Sequence, residues 1–527
     1  MFDYIIIGGG SAGCVLASRL SVNPDNRVCL IEAGGSHHRA AVQIPFLTIL
    51  TMPWWYKNWH YRTEPQPGLN NRRGYQPRGK VLGGSSAINA MIYIRGQQQD
   101  YDNWAKAGGS QWRFDNILPV FKAFENNQRL NGPYHGQSGE LYVSDLISPN
   151  PASEAFVKAA IGCGYPFNHD FNGESQYGVG LYQVTQKNGL RHTSAHAFID
   201  PIFQRKNLTI LTKSHALKLL FNGKTCEGVT IKRGGKTEDI KAKKHVILCA
   251  GAISSPHLLL LSGIGDKDQL AQHGIRCHHH LPGVGLNFHD HPDYVHCYRS
   301  TNHNLIGFTP GALFDIAKAW FLYRKQPTGL MTTNYAEAGG FLSTTKTPDR
   351  PDIQLHFVTG IVDNHAHRFH FPRGMSCHVC VLRPKSRGSI RLKSADPFKA
   401  PAIDPNFLAN DDDMNTLLNG YKMTLDIMEH EQLSPFRDKP YYIATSDEAI
   451  IELIRNRADT VYHPVGSCRM GEDELAVVDG QLKVHGIEKL TVADASIMPE
   501  VVSGNTNAPS MVIGEMAARF ILSQDSH

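Results

Sequence analysis

The sequence has no long apolar segment and no long basic segment. No window of about 18 consecutive apolar residues occurs, so we expect no helix that spans a membrane. There is no run of five or more lysines and arginines, and the formal net charge is only +5 over 527 residues. Such a weak, scattered positive charge gives no support to nucleic-acid binding.

A disulfide framework is also missing. The ten cysteines are scattered through the chain, which indicates reduced thiols and a cytoplasmic protein. Cys377 and Cys380 form a lone C-x-x-C pair, and without a second pair at zinc-binding spacing no metal site is predicted. The start, MFDYIIIGGG, lacks the basic segment and the cleavage site of a signal peptide, so we interpret it as a buried strand.

The composition is that of a folded, soluble protein. Apolar residues make up 41% of the chain and charged residues 19%. At 527 residues the chain exceeds the length of one compact core, so two domains are expected.

The N-terminal segment has the pattern of a dinucleotide-binding βαβ unit. The run DYIII is followed by GGGSAG, in which Gly8, Gly10 and Gly13 form G-x-G-x-x-G. A helical segment and a second strand follow, and this strand ends at Glu32. The glycines allow the tight turn, the approach of a pyrophosphate to the helix N-terminus and helix–strand packing, and Glu32 would accept hydrogen bonds from the adenosine ribose. The pattern does not distinguish NAD from FAD.

A second glycine-rich segment favours FAD through a family resemblance. Residues 77–96, PRGKVLGGSSAINAMIYIRG, contain four consecutive small residues that suit close approach of a phosphate or a flat ring. This segment, GAISSPHLLLLSGIG (251–265) and VADASIMPEVVSGNTNAPSMVIGEMAARF (492–520) resemble the signatures of the glucose–methanol–choline (GMC) family of flavin oxidoreductases. The resemblance runs over essentially the whole chain and is nearest to the FAD-dependent alkanol/choline dehydrogenase branch.

The resemblance implies FAD as the cofactor and indicates the residues that contact it. The matching positions are Gly8, Gly10, Ser11, Gly13, Glu32, Ala33, Gly79, Val81, Gly84, Ser85, Asn89, Ala90, Met91, Ala216, Asp494 and Ala495. Of these, Ala216 matches the adenine contact, and Asp494 and Ala495 match the ribityl and pyrophosphate contacts. Some members tether FAD covalently through a histidine just before the asparagine, but this chain has Ile88 there, so non-covalent FAD is expected.

His463, in VYHPVGSCRMG (461–471), has three interpretations from the residues alone: a metal ligand with Cys468, a structural histidine, or a catalytic base. The family resemblance implies the catalytic role, with Asn507, 44 residues later, as its partner. A neutral imidazole suits removal of a hydroxyl proton, and the flavin N5 would accept the hydride. Asn507 would donate a hydrogen bond to the alkoxide-like oxygen. We interpret His278 to His280, and His289 with His291, as solvated or capping histidines.

The signatures predict an α/β protein (α+β overall) with a Rossmann-like FAD-binding domain assembled from separated pieces. Residues 1–154, 206–299 and 461–527 are assigned to it. Residues 155–205 and 300–460 carry alternating apolar patterns such as DIQLHFVTG, which predict an antiparallel sheet with helices in a substrate domain. A helix is predicted after Pro509.

The block 170–198 resembles the GMC alkanol dehydrogenases. It implies oxidation of an uncharged primary alcohol, medium-chain aliphatic or aryl, to the aldehyde, with a quinone-type electron acceptor.

The apolar stretch 43–59 suits a lid or core loop. Residues 311–325 form an amphipathic pattern with Leu313, Ile316, Ala317 and Trp320 on one face, facing either the core or an apolar entrance or membrane surface.

Several alternatives stay open at this point. The first is a GMC oxidase for aryl or furanic alcohols that forms hydrogen peroxide, and the second is a choline dehydrogenase, although no carboxylate and aromatic box for the cation is identified. A non-redox use of the fold, as in hydroxynitrile lyases or light-driven decarboxylases, and an FAD-binding scaffold without activity are further candidates. Peripheral contact with the inner face of a membrane is open, although ending at His527 without a further tail argues against tight attachment. The oligomeric state is also open.

Overall fold

The computed structural model describes residues 1–345, 349–363 and 370–525. The α-helices are α1 Ser11–Leu20, α2 Ala40–Gln43, α3 Gln98–Gly108, α4 Phe114–Phe124, α5 Pro151–Gly162, α6 Ser194–Phe198, α7 Gly251–Leu261, α8 Lys267–Gln272, α9 Pro310–Lys325, α10 Asp411–Glu429, α11 Asp447–Arg457 and α12 Asn507–Asp525. Short 3₁₀ turns lie at Pro45–Leu50, Pro67–Leu69, Gly84–Ala87, Ser110–Trp112, Asp200–Ile202, Gly329–Thr332, Glu431–Phe436 and Ala495–Ile497.

The strands alternate with these helices along the chain. They are β1 Phe2–Ile7, β2 Val28–Ile31, β3 Tyr61–Gln66, β4 Arg72–Gln76, β5 Glu125–Asn127, β6 Leu141–Val143, β7 Gly178–Leu181, β8 Gln186–Lys187, β9 Leu190–Arg191, β10 Leu208–Leu211, β11 Ser214–Asn222, β12 Thr225–Arg233, β13 Lys236–Leu248, β14 Ile264–Gly265, β15 His279–His280, β16 Leu286–Phe288, β17 Pro292–Ser300, β18 Ala336–Leu342, β19 Ile353–Val358, β20 Arg373–Val381, β21 Gly388–Arg391, β22 Ala402–Asp404, β23 Lys439–Pro440, β24 Asp459–Thr460 and β25 Leu490–Val492.

One sheet carries the predicted nucleotide-binding unit. Its parallel strands lie in the order β10-β2-β1-β13-β25. The long strand β13 also continues into an antiparallel meander with β12 and β11. Every residue of β2 is buried, as expected for a parallel strand covered on both faces. Helix α1 packs against α12, so the N-terminal βαβ unit and the C-terminal helix form one layer.

The second sheet is antiparallel and has the order β23-β17-β20-β19-β18-β7, with β24 beside β17. Helices α5 and α10 pack on it. The rings of Phe156 from α5 and Phe357 from β19 stack with centroids 4.7 Å apart. The predicted fold class, α/β with a second antiparallel sheet and helices, is therefore confirmed.

Two large apolar cores accompany the two sheets. The first draws mainly on residues 4–31, 82–143, 195–284 and 465–521, and the second mainly on residues 152–179 and 294–458. Helix α6, which the sequence analysis assigned to the substrate domain, contributes Ala195, Ala197 and Phe198 to the first core. The exact domain boundaries stay a prediction.

Helix α9 forms where the amphipathic pattern predicted it, but the predicted face is wrong. Ile316 and Trp320 pack against the 3₁₀ turn at Pro45–Leu50, as expected for a buried face. Leu313 and Ala317 are exposed, because they lie to one side of the buried row through Ala312, Ile316 and Tyr323. Among the described helices, none has both the length and the apolar character needed to cross a bilayer.

Candidate active site

A cavity of about 1000 Å³ lies where the two sheets meet. Its wall includes the carboxyl ends of β1 and β2, at Ile7 and Glu32, and residues of the antiparallel sheet such as His356 and His378. A crevice at the carboxyl ends of parallel strands is the usual ligand site in this type of sheet. The cavity is therefore the candidate active site.

Both predicted catalytic residues and nearly all predicted cofactor residues line this cavity. His463 and Asn507 are joined there by Gly8, Gly10, Ser11, Glu32, Ala33, Gly79, Gly84, Ser85, Asn89, Ala90, Met91, Ala216, Asp494 and Ala495. The two predicted positions that do not line it are Gly13 and Val81. Val81 is fully buried in a small apolar cluster with Val42 and Ala87, so its side chain supports the glycine-rich segment from behind.

The first glycine-rich turn has the geometry that its sequence predicted. Gly8 adopts φ +108°, a conformation that suits glycine. A Cβ added at Gly13 would lie 1.9 Å from the carbonyl oxygen of Gly8, so glycine is needed there for α1 to pack on the turn. A Cβ at Gly10 would meet no atom closer than 4.0 Å, which leaves the cavity side of this turn open to a ligand.

Glu32 is held at the end of β2 by backbone donors. Its Oε2 accepts a hydrogen bond from the N–H of Gly9 at 2.9 Å, and its Oε1 accepts from the N–H of Gly34 at 2.7 Å. Burial raises the pKa of Glu32 to about 7, although these two donors act in the opposite direction. The carboxylate thus ties the turn before α1 to the segment after β2. Its predicted bond to a ribose stays a prediction.

Arg191 supports the second glycine-rich segment, and the sequence analysis missed it. Its guanidinium donates to the carbonyl of Ser86 at 3.2 Å and to Oδ1 of Asn89 at 2.7 Å. Burial lowers the pKa of Arg191 to about 9. The only sequence signal was the basic residue in KNGLRHTSAH, whose partners lie about a hundred positions earlier in the chain.

His463 belongs to a hydrogen-bonded chain of side chains at the cavity wall. Its Nδ1 lies 3.2 Å from Nδ1 of His291, and its Nε2 lies 3.1 Å from Nδ2 of Asn505. The Nε2 of His291 is 3.0 Å from the carbonyl oxygen of Leu382, and Oδ1 of Asn505 accepts from Gln354 at 3.2 Å. The imidazole is therefore fixed from both sides.

We infer the proton positions of the two rings from these contacts. The carbonyl of Leu382 can only accept, so His291 carries its proton on Nε2, and its neutral Nδ1 accepts from Nδ1–H of His463. Asn505 then donates to the unprotonated Nε2 of His463. The arrangement presents a basic nitrogen, which is the atom that a general base needs.

Electrostatics keeps this base neutral. Burial lowers the pKa of His463 well below the ordinary histidine value, and the neighbouring His291, His356 and Arg78 lower it further. Burial also lowers the pKa of His291 to about 4. Both rings are therefore neutral at neutral pH, as the assigned tautomers require.

The backbone around His463 is held in place by polar contacts. Tyr462 has φ +71°, which is unusual for a residue with a side chain and is a form of strain found at functional sites. Arg78 donates to the carbonyl of Tyr462 at 2.7 Å, and Asp290 accepts from the N–H of His463 at 2.7 Å. Burial raises the pKa of Asp290 to about 6.

Asn507 forms its hydrogen bond with Ser11 and none with His463. Its Oδ1 accepts a hydrogen bond from Oγ of Ser11 at 2.7 Å, which leaves its Nδ2 as a donor. The residue bonded to His463 is instead Asn505, two positions earlier in SGNTNAP. The sequence analysis missed Asn505 because the family spacing pointed to Asn507 alone.

Two interpretations of histidines from the sequence need comment. His289 and His291 are buried, so interpreting them as solvated residues was wrong. His289 does cap the backbone, because its Nε2 accepts from the N–H of Val501 at 3.0 Å, and His291 is part of the site. Cys468 is buried in the first core and is not among the residues that line the cavity, so it is not placed to share a metal with His463.

Comparison with known proteins assigns the chain to a family. The model of the GMC oxidoreductase N-terminal region matches residues 2–293, and that of the C-terminal region matches residues 384–514. The chain belongs to the GMC oxidoreductase family.

Individual relatives agree with this. The chain is 44% identical to an alcohol dehydrogenase [acceptor] of Pseudomonas putida, over 99% of this chain and 96% of that one. It is 38% identical to an oxygen-dependent choline dehydrogenase of Escherichia coli, over 100% and 96%. Among solved structures, pyridoxine 4-oxidase from Mesorbium loti is 30% identical with a TM-score of 0.89, covering 100% of both chains.

FAD, the cofactor of GMC oxidoreductases, suits the residues of this cavity. The N-termini of α1, α7 and α12, at Ser11, Gly251 and Asn507, all line it, and helix N-termini stabilise negative charge such as that of a pyrophosphate. Gly10, which precedes α1, has no side chain to cap the first N–H groups, so they stay available to a ligand. Oδ2 of Asp494 accepts hydrogen bonds from Oγ of Ser255 and from the N–H of Gly251 at the N-terminus of α7.

Proposed function

We propose that this GMC oxidoreductase is an FAD-dependent alcohol dehydrogenase that oxidises an uncharged primary alcohol to the aldehyde and passes the electrons to a quinone-type acceptor. The observation that carries the proposal is the position of His463 at the wall of the cavity, with its Nε2 3.1 Å from Nδ2 of Asn505. Similarity to the alcohol dehydrogenase [acceptor] of Pseudomonas putida supports it.

The chain's own residues perform the proton chemistry. FAD, when bound, supplies the hydride acceptor. The hydroxyl of the alcohol takes the place of Nδ2 of Asn505 at the one lone pair of Nε2 of His463, and this nitrogen removes the hydroxyl proton. The Nδ1–H of the same ring stays bonded to His291, which keeps the imidazole oriented throughout. The Nδ2 of Asn507 is the proposed donor to the alkoxide-like oxygen, because Ser11 already occupies its Oδ1.

The cavity wall favours an uncharged substrate. Among the described residues that line it, the only carboxylates are Glu32 and Asp494. Glu32 accepts a hydrogen bond from the N–H of Gly34 after β2, and Asp494 accepts one from the N–H of Gly251 at the start of α7. No carboxylate is therefore left to pair with the ammonium group of choline. Apolar side chains such as Ile306, Phe308 and Val358 line the wall, which suits an aliphatic or aryl tail.

The proposed quinone-type acceptor implies that the protein works near a membrane. A quinone is dissolved in the bilayer, so we propose peripheral contact of a cytoplasmic protein with the inner face of the membrane. Exposed aromatic side chains support this contact. They are Phe314 and Phe321 on α9, and Trp54 and Trp55 in the loop after the Pro45–Leu50 turn.

Ile88 at the cavity wall supports non-covalent attachment of FAD, since isoleucine cannot form the tether.

Anaerobic spectroscopy tests the proposal. Purified protein is mixed with a series of linear alcohols, benzyl alcohol and choline, and bleaching of the flavin absorption is followed. We expect uncharged alcohols to bleach the flavin, with efficiency rising along the linear series, because each buried methylene contributes about 0.8 kcal/mol. Preference for choline over hexanol would contradict it. Reoxidation of the reduced flavin by oxygen is then compared with its reoxidation by a dye or a quinone. Formation of peroxide as fast as reduction of the dye or quinone would instead support the alcohol oxidase.

A further inference from the structure

Three histidines and one aspartate converge at a place outside the active-site cavity. His37 and His38 lie in the segment between β2 and α2, His196 lies on α6, and Asp200 begins the following 3₁₀ turn. Each offers one ligand atom, and these atoms all lie within 4.8 Å of one another. None of the four residues lines the active-site cavity.

We propose that His37, His38, His196 and Asp200 bind a divalent transition-metal ion of the zinc class. Three imidazoles and one carboxylate make up a four-coordinate set, and imidazole ligands suit zinc rather than magnesium or calcium. The Nε2 atoms of His37 and His38 lie 3.0 and 3.2 Å from Oδ1 of Asp200. Ligand atoms around tetrahedral zinc are separated by roughly 3.3 Å, as follows from zinc–ligand distances of about 2.0–2.1 Å. Small side-chain rotations therefore suffice to enclose an ion.

Thr193 orients the ring of His196 at the start of α6. The backbone N–H of Thr193 donates to Nδ1 of His196 at 3.3 Å, and Oγ1 of Thr193 lies 2.8 Å from the same nitrogen. Metal-binding histidines usually use their second ring nitrogen for a contact that orients the ring. Nε2 is the ring nitrogen left for the ion.

His37 is the most buried residue of the cluster. Its side chain is only 3% exposed, and its Nε2 lies 3.0 Å from Oδ1 of Asp200. This nitrogen therefore faces the other ligands of the cluster and not the solvent. His38, whose side chain is 56% exposed, opens the site to solvent and provides a path for the ion.

The position in the fold indicates what the ion would do. His37 and His38 follow Glu32 by a few residues, and α6 is bonded to the second glycine-rich segment through Ser194, whose N–H donates to Oγ of Ser86 at 3.0 Å. An ion between the two would join both segments that hold the cofactor cavity. Its role is therefore structural, and it takes no part in the oxidation itself.

Calorimetric titration of the FAD-loaded protein with Zn²⁺, after removal of metals by a chelator, tests the site. We expect saturable binding of one ion per chain and a higher thermal unfolding midpoint in its presence. His38→Ala and Asp200→Asn should each weaken binding at least about 10-fold, since even outer contacts of a metal site are worth 10–100-fold. Neither change removes a core residue, so both variants should keep their FAD.

A matched surface variant controls for adventitious binding by other histidines. His303 is 88% exposed and lies 3.8 Å from Asp315, a histidine–carboxylate pair without the rest of the cluster. His303→Ala should bind Zn²⁺ like the unchanged protein. Absence of saturable binding, or binding that His38→Ala and Asp200→Asn leave intact, would overturn the proposal and show that the four residues form only a hydrogen-bonded cluster.

Discussion

At the residue scale, the proposed reaction depends on the lone pair of His463. Replacing His463 by alanine should reduce the rate of flavin bleaching by alcohol by roughly 10²–10⁴-fold, the usual contribution of a general base. His463→Gln, which keeps a polar side chain but has no basic nitrogen, should show the same loss. Anaerobic stopped-flow measurement with one alcohol checks this, and bound FAD is measured in both variants. Near-normal bleaching in either one would mean that another group removes the proton.

The pH dependence of the same rate follows from the surroundings of His463. A histidine with an ordinary pKa of about 6.5 would give a rate that rises with pH around that value. Burial and three cationic or imidazole neighbours lower the pKa of His463, so the neutral base persists to lower pH. We therefore expect flavin reduction to be constant between about pH 6.5 and 8 and to fall only in more acidic solution. A limb centred above pH 7 would contradict the site geometry.

Asn505 and Asn507 can be distinguished by their effect on this limb. Asn505→Asp places a carboxylate beside Nε2 of His463, which should raise the pKa of His463 and move the limb to a pH about 1–3 higher. Asn507→Asp is the matched control, because Asn507 is bonded to Ser11 rather than to His463. It should move the limb less, while Asn507→Ala should slow the reaction about 10²-fold through loss of a donor to the oxygen. Equal shifts in the two aspartate variants would argue against the assigned contacts.

At the scale of elements, α9 carries the proposed membrane contact. Phe314 and Phe321 are 71% and 66% exposed and lie two turns apart on one side of the helix. Each phenylalanine buried in a bilayer interface contributes about 1.5–3 kcal/mol. The double change Phe314→Ser and Phe321→Ser should therefore weaken binding to vesicles of bacterial phospholipid by at least about 10-fold, as measured by co-sedimentation.

The control for α9 is another exposed phenylalanine. Phe203 is 69% exposed but lies after the 3₁₀ turn at Asp200–Ile202, away from α9 in the chain. Phe203→Ser should leave vesicle binding unchanged. Both proteins should reduce a soluble dye at the normal rate, since neither change reaches the cavity. Vesicle binding that is unaffected by the double change would rule out α9 as the contact.

At the scale of the whole molecule, buried histidines determine how stability depends on pH. Burial lowers the pKa of His192, His257 and His291 to about 4. Between about pH 4 and 6.5 the unfolded chain binds protons that the folded chain does not, so the free energy of unfolding falls as the pH falls. Each of these histidines contributes up to about 3 kcal/mol to this loss at pH 4.

Buried carboxyls act in the opposite direction but only partly offset this. Burial raises the pKa of Asp459 to about 8, so it favours the folded state on acidification. More histidines than carboxyls are shifted by burial, so we expect the thermal midpoint of the holoprotein to drop between pH 6.5 and 4.5. His296→Phe, which removes a buried titratable ring but keeps an aromatic one, should flatten this profile. An unchanged profile would mean that the buried histidines do not control it.

Much of the fold and most of the cofactor side could be predicted because the signals are local. The signals of the G-x-G-x-x-G turn, of strand β2 before Glu32 and of the C-terminal helix each lie within a short segment. The helix was predicted after Pro509 and begins two residues earlier, at Asn507. The location of His463 at the cavity was likewise predictable, through the family resemblance. Its hydrogen-bond partner was not, because spacing along the chain does not say which of Asn505 and Asn507 reaches the ring.

The sequence by itself determined the class of sheet, the glycine turns and the family, since these follow from patterns within short segments and in a fixed order. Only the tertiary structure decided which polar groups meet. His291 lies 172 positions from His463 but sets its tautomer, and Asp200 lies 163 positions from His37 but completes the proposed metal site. The physical reason is that such contacts depend on how the strands of the two sheets and the helices between them pack. Once packing has buried these polar side chains away from water, they must form hydrogen bonds with one another.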